Sequence, residues 1–196
     1  LCYRGRHIFA GYMGMPDKTN ETIDAEGWLH SGDVVTIDGD DDPDLPKPGG
    51  FITITGRIKE LIITAGGENV PPVLIEKHLK ESMPAVSNAM VIGDKRKYLG
   101  VLLCLKVDVD LETGVASNKL TGTALETCKE IGSTATTTDQ VMEDPKWKKY
   151  FDDGLQAANE KATSQAQTVR KWKLLDTDFT EKGGELTPTL KLKRNV

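Results

Sequence analysis

The chain has 196 residues, 38% of them hydrophobic and 28% charged, with a formal net charge of -5. That length sets a prior of one or two globular domains. The acidic balance excludes a nucleic-acid backbone as the main partner, since phosphate binding leaves a basic excess, and no apolar run approaches the roughly 20 residues that span a bilayer. Cys2, Cys104 and Cys128 are scattered and odd in number. They read as reduced thiols of an intracellular protein, cytoplasmic or peripherally associated with membranes, and not as a disulfide frame. Leu1 is not an initiator methionine and the first residues are strand-like. A missing N-terminus is therefore expected, with any targeting signal on it not observable.

In chain order, residues 2–9 alternate as a strand and residues 11–16 form a loop. Residues 27–33 (GWLHSGD) precede a short strand over 34–37. Residues 38–50 are acidic and rich in Pro and Gly, and predict a surface loop. Strands follow over 51–55 and 60–64, ending at Gly66 and Gly67. The clearest helix runs over 70–83: Pro71 and Pro72 suit its first turn, and Leu74, Ile75, His78, Leu79 and Met83 form one face. Glu76 and Lys80 are expected as an i,i+4 pair on the opposite face.

Residues 89–92 and 99–107 predict a hairpin whose turn is 93–97, with Lys95, Arg96 and Lys97 at its solvated tip. Leu120, Ala124, Leu125, Cys128 and Ile131 fit a second helix. Residues 133–138 read as a linker, with Thr138 or Asp139 capping the segment after it. Trp147, Tyr150, Phe151, Leu155 and Ala158 mark a third helix and a core stripe. Residues 172–175 read as a strand and 189–192 as a further one. The alternation predicts a mixed α/β (α+β) layer domain.

The chemistry-bearing motifs are individually ambiguous. An ionised Asp33 only accepts hydrogen bonds and suits a pair of sugar hydroxyls, but taken alone a turn with an Asx cap is the simpler reading of residues 27–33. Residues 55–60 (TGRIKE) place Arg57 and Lys59 after a strand. Arg57 has a fork for phosphate or ribose oxygens; a solvated strand end is the plain alternative. Gly66 and Gly67, before a Pro-led helix, let the backbone approach a ligand, as does any tight turn. There is no Walker A loop and no GxGxxG after a strand. A calcium loop starting at Asp38 fails, with Pro43 at its sixth position and Gly49 at its twelfth. His7, His30 and His78 lack metal spacing, so no metal site is expected.

The order of the motifs is more specific than any one of them. Residues 28–33, then 56–59 (GRIK), then 66–69 (GGEN), then 188–191 (PTLK) together resemble the adenylate-forming superfamily. Residues 62–72 (IITAGGENVPP) look like the long-chain acyl-CoA synthetases, and 87–95 and 184–194 (GELTPTLKLKR) are most similar to their bubblegum-type branch. The resemblance implies a C-terminal part of a long-chain fatty acid–CoA ligase that turns fatty acid, ATP and CoA into acyl-CoA, AMP and pyrophosphate through an acyl-adenylate. It divides the chain into residues 1–58, the β-rich end of the large AMP-binding domain, and residues 59–196, a small mobile C-terminal domain with a short sheet flanked by helices.

Carried over residue by residue, the resemblance makes Asp33 the acceptor of the ribose hydroxyls and Arg57 a contact to the nucleotide. Lys59 becomes the hinge, Gly66 and Gly67 the CoA approach, and Lys191 the cation bridging carboxylate and α-phosphate. The implied partners are the small-molecule substrates and an upstream large domain of the same enzyme. That domain would hold the phosphate loop, the acyl tunnel and the magnesium ligands, so the fragment alone is expected to be inactive. Two departures stand out: Leu190 occupies the position where the superfamily commonly has Gly before the lysine, and an acidic insertion spans residues 40–48. The alternatives are a free-standing binding or regulatory domain without chemistry, or a synthetase for another carboxylic acid.

Overall fold

A computed structural model describes residues 1–38, 51–110 and 112–194. Most of the acidic loop expected over 38–50, including the 40–48 insertion and the failed calcium loop, lies outside the described residues. The chain forms two compact units, Leu1–Leu61 and Ile62–Val196.

The first unit is built from short β-ribbons. Strand β1 (Cys2–Tyr3) pairs antiparallel with β2 (Leu29–His30). The strand expected over 2–9 is thus cut to two residues, because the chain turns at once with Ile8 N–H donating to Gly5 O. Helix α1 (Pro16–Thr22) was not expected: it is polar and buries no residue, so it carries no apolar period, and only its leading Pro marks it. Asp24 supplies the Asx turn of this region, its carboxylate accepting from Glu26 N and Trp28 N. Its hydrogen bond with His30, then that from Trp28, holds its pKa below the usual carboxylate value. Strand β3 (Asp33–Asp38) pairs antiparallel with β4 (Phe51–Arg57). The register slips between Val34 and Val35, giving a bulge at Thr55 beside the buried Gly56. A single 3-10 turn, Ile58–Glu60, follows.

The second unit opens with a small hairpin, β5 (Ile62–Ile63) and β6 (Asn69–Val70). Strand β5 is shorter than the 60–64 expected, because the 3-10 turn consumes its start. Helix α2 (Pro72–Ser82) buries Pro72, Ile75, Glu76 and Leu79. The expected Glu76–Lys80 pair is therefore corrected: Glu76 faces inward, and the i,i+4 pair on this helix is Lys77–Glu81 at 3.9 Å.

Strands β7 (Val86–Ile92) and β8 (Leu99–Leu105) form the predicted hairpin. Two further strands, β9 (Val107–Val109) and β10 (Ala116–Leu120), pair antiparallel. Helices α3 (Thr123–Glu130), α4 (Thr138–Glu143) and α5 (Pro145–Asn159) come next. The cap of α4 is Thr137, which accepts from Gln140 N at 3.4 Å, rather than Thr138 or Asp139. Thr138 is instead buried and donates to Asp176 O at 2.5 Å. Strand β11 (Val169–Leu174) completes a three-stranded sheet in the order β11-β8-β7, parallel to β8.

Helices α2 and α5 cover one face of this sheet. Val101, Leu103 and Leu174 from the strands meet Leu79, Trp147 and Phe151 from the helices, and Met83 at the end of α2, in one core. Each fully buried aliphatic or aromatic side chain contributes about 1.5–3 kcal/mol. Gly154 lets α5 approach closely, since a Cβ there would overlap Met83. Tyr150 Oη accepts from Ala85 N at 3.2 Å and ties α5 to the start of β7. No helix among the described residues is long and apolar enough to cross a membrane.

Candidate functional site

In the first unit the β3–β4 register brings two of the expected residues together. Asp33 and Arg57 are opposite each other at the open end of the ribbon. Arg57 Nε lies 3.3 Å from Asp33 Oδ1, with the Asp33 side chain 18% exposed and that of Arg57 59% exposed. The bulge one residue away re-aims this end of the strand, a common device beside binding sites. Ser31 Oγ accepts from Asp33 N at 3.0 Å, and Ile58 N–H donates to Gly32 O at 2.8 Å, fixing both backbones. The result is a covered acceptor next to an open guanidinium. Such a pair suits a hydroxylated, phosphorylated ligand: the carboxylate takes hydroxyl protons and the guanidinium takes oxygen lone pairs. Lys59 is exposed in the 3-10 turn that ends this unit and makes no side-chain hydrogen bond or ion pair among the described residues.

Gly66 and Gly67 form the tip of the β5–β6 hairpin. Gly67 has φ +81°, a left-handed backbone that only glycine adopts without strain, and a Cβ on it would meet open space. The hairpin is stitched to the β7–β8 turn. Ile63 N donates to Asp94 Oδ1 at 3.1 Å, Lys95 N to Ile63 O at 2.7 Å, and Ala65 N to Arg96 O at 3.0 Å. Sequence reading did not foresee this union, although the acceptor, Asp94, was visible at a turn. The same turn walls a cavity of about 730 Å³ lined by Arg96, Lys97, Tyr98, Gly100, Lys171 and Lys173, among others. By strand alternation Gly100, Leu102, Lys171 and Lys173 point away from the helix-covered face.

Lys191 sits on a turn and not on the strand expected over 189–192. Leu186 and Leu192 form an isolated antiparallel bridge, and Lys193 N donates to Glu185 O at 2.7 Å. Between them Thr187 closes the loop: Thr187 N donates to Lys191 O at 2.8 Å, Leu190 N to Thr187 O at 2.8 Å, and Lys191 N to Thr187 Oγ1 at 3.0 Å. Leu190 has φ +58° and is 73% exposed. A left-handed backbone costs an L-residue such as leucine strain that glycine does not pay. The Lys191 ammonium is exposed and has no ion pair or hydrogen bond among the described residues. The arrangement presents one cation on a preformed, hydrogen-bonded loop. Among the described residues there is no cluster of His, Cys, Asp and Glu able to hold a metal ion.

The small sheet flanked by helices is a fold shared with solved structures. The A-PCP didomain of a carboxylic acid reductase from Segniliparus rugosus, in complex with AMP, superposes with a TM-score of 0.66 at 20% identity, over 99% of this chain and 22% of that one. The family model for the AMP-binding enzyme C-terminal domain matches residues 59–181, and the chain belongs to that family. Lys191 lies beyond the matched span. Among curated proteins, the long-chain-fatty-acid–CoA ligase ACSBG2 of Xenopus laevis is 50% identical over 198 residues, covering 100% of this chain and 26% of that protein. The long-chain-fatty-acid–CoA ligase ACSBG1 of Homo sapiens is 48% identical, over 99% of this chain and 26% of that protein. The chain thus spans about a quarter of the length of these relatives.

Proposed function

We propose that this chain works as the C-terminal part of a long-chain fatty acid–CoA ligase, in which Lys191 serves the adenylation of the fatty acid by ATP. The observation that carries the reading is the unpaired, exposed Lys191 ammonium on its preformed turn, in a chain half identical to such ligases over its whole length. Attack of a carboxylate on the α-phosphorus of ATP builds negative charge at phosphorus, and a positioned cation lowers that barrier. Asp33 accepts the ribose hydroxyls and Arg57 holds the nucleotide beside them. Their pairing at 3.3 Å orients the carboxylate for that task.

Residues 1–58 then belong to the large domain and residues 59–196 to the small one. Lys59 is the pivot, a role favoured by its exposed turn near the division between the two units. Gly66 and Gly67 line the approach of CoA in the second step. An intracellular setting, cytoplasmic or at a membrane surface, suits three free thiols. No group of three or more His, Cys, Asp or Glu side chains gathers to hold a metal ion among the described residues.

The test uses the complete synthetase. Lys191→Ala is expected to slow acyl-adenylate formation by about 10²–10³-fold, while thioester formation from preformed acyl-adenylate and CoA stays near wild type. Lys193, also exposed and two residues away, is the internal control. Equal behaviour of Lys191→Ala and Lys193→Ala in the adenylation half-reaction would remove Lys191 from the chemistry.

A further inference from the structure

Arg194 makes a bidentate ion pair with Glu76, its Nη1 and Nη2 each 2.7 Å from one carboxylate oxygen, across 118 residues of sequence. Glu76 is 7% exposed, on the core-facing side of α2. Its Oε1 also accepts from Val91 N at 2.8 Å. Strand β7 is the edge of the three-stranded sheet, so this bond satisfies a backbone donor that β8 does not reach. One carboxylate thus ties together a helix, a sheet edge and the terminal segment.

Stability alone does not account for such a group. A buried ion pair is often no better than an apolar pair of the same size, because two charges must leave water. What a fork-to-carboxylate contact adds is direction, with both partners held in one plane and one register. Arg194 lies three residues after Lys191, and three residues of extended chain reach only about 10 Å. On the other side the lysine turn is closed by Thr187 and by the Leu186–Leu192 bridge, with Leu186 buried. The turn is therefore pinned at both ends, while the Lys191 side chain itself is free.

Resting on the role proposed above for Lys191, we infer that Glu76 and Arg194 are positioning residues for adenylation, a clamp that sets where the Lys191 turn stands on the small domain. Neither touches substrate; each acts through the backbone that carries Lys191.

In the complete synthetase, Glu76→Gln keeps the volume and the acceptor for Val91 N and removes the charge. Arg194→Met removes the fork while keeping much of the apolar stem that the largely buried side chain packs. Both are expected to lower the single-turnover rate of acyl-adenylate formation by about 10- to 100-fold, the cost of a displacement on the order of 1 Å. The KM for ATP and the rate of thioester formation from preformed acyl-adenylate should stay near wild type, and Arg194→Lys should fall between wild type and Arg194→Met. In the 196-residue chain, the amides of Leu190 and Lys191 should exchange faster in Arg194→Met, with those of residues 99–105 unchanged. Equal loss in both half-reactions with a lowered melting temperature, in both variants, would reduce the pair to a stability brace and overturn the proposal. Wild-type adenylation in Arg194→Met alongside a slow Lys191→Ala would overturn the clamp and leave the Lys191 reading standing. Wild-type adenylation in Lys191→Ala would overturn that reading, and the clamp with it.

Discussion

Ile54 in β4 and Val101 in β8 are β-branched residues of well-formed strands, yet Ile54 is 60% exposed and Val101 2%. The contrast extends to whole units. In Ile62–Val196 the apolar residues of sheet and helices converge on one core. In Leu1–Leu61 the buried hydrophobic set has no described member, and Ile37, Phe51, Ile52 and Ile54 all stand exposed on one ribbon. Both units have apolar strands; what differs is architecture. A two-stranded ribbon is marginal by itself, whereas a third strand and a covering pair of helices provide the second layer that burial needs. An apolar strand pattern announces that a face wants covering, not that the same stretch of chain covers it.

Substitutions of equal size should separate the units. Leu79→Ala, at a fully buried site, is expected to cost about 2–5 kcal/mol, read from the midpoint of urea unfolding. Ile54→Ala should change stability by no more than about 0.5 kcal/mol, as at a surface site. A loss at Ile54 comparable to that at Leu79 would mean that the first unit has a core of its own.

Thiol chemistry draws the same line. Cys2 is exposed in the first unit, and Cys104 is buried in the second. Burial, with the Asp178 carboxylate nearby, pushes the Cys104 thiol up to about 12. A thiolate-directed reagent at pH 8 should label Cys2 and leave Cys104 unmodified until the protein unfolds, as mass spectrometry of tryptic peptides would show. Labelling of Cys104 at the rate of Cys2 would break the contrast.

A small effect of opposite sign is expected on the lysine turn. Leu190→Gly removes a left-handed strain of roughly 1–2 kcal/mol and adds a backbone entropy cost of about 0.5–1 kcal/mol. A net gain of about 0.5–1 kcal/mol should appear in thermal unfolding; a loss would show that the exposed Leu190 side chain has a packing role.

Legibility from sequence tracked the same physics. Helices α2 and α5 and the β7–β8 hairpin were readable, because each repeats its apolar residues at its own period against the core. Helix α1 and the β9–β10 pair were missed, since neither carries a clear apolar stripe. Glu76 was misread as a surface residue because Lys80 stands four residues on. Its actual partner, Arg194, is brought to it only by the tertiary fold. The order of the motifs picked out Asp33, Arg57 and Lys191 as candidates. The bulge that sets Asp33 against Arg57 and the left-handed Leu190 are backbone features, to which side-chain patterns are nearly blind.

The parallel pairing of β11 with β8 sets the order in which the second unit can assemble. Strands β7 and β8 are neighbours in sequence and meet through a short turn, but β11 must return across α3, α4 and α5 before Trp172 can lie beside Val101. Closing so long a loop costs entropy before any contact repays it, and folding rates fall as contacts become more distant in sequence. Topology therefore favours early formation of the hairpin, with β11 joining later. During synthesis its β11-facing edge remains open until residue 174 has emerged, and the turn bearing Lys191 comes later still. If β11 docking limits folding, the refolding rate should respond more to changes in β11 than to changes in β7.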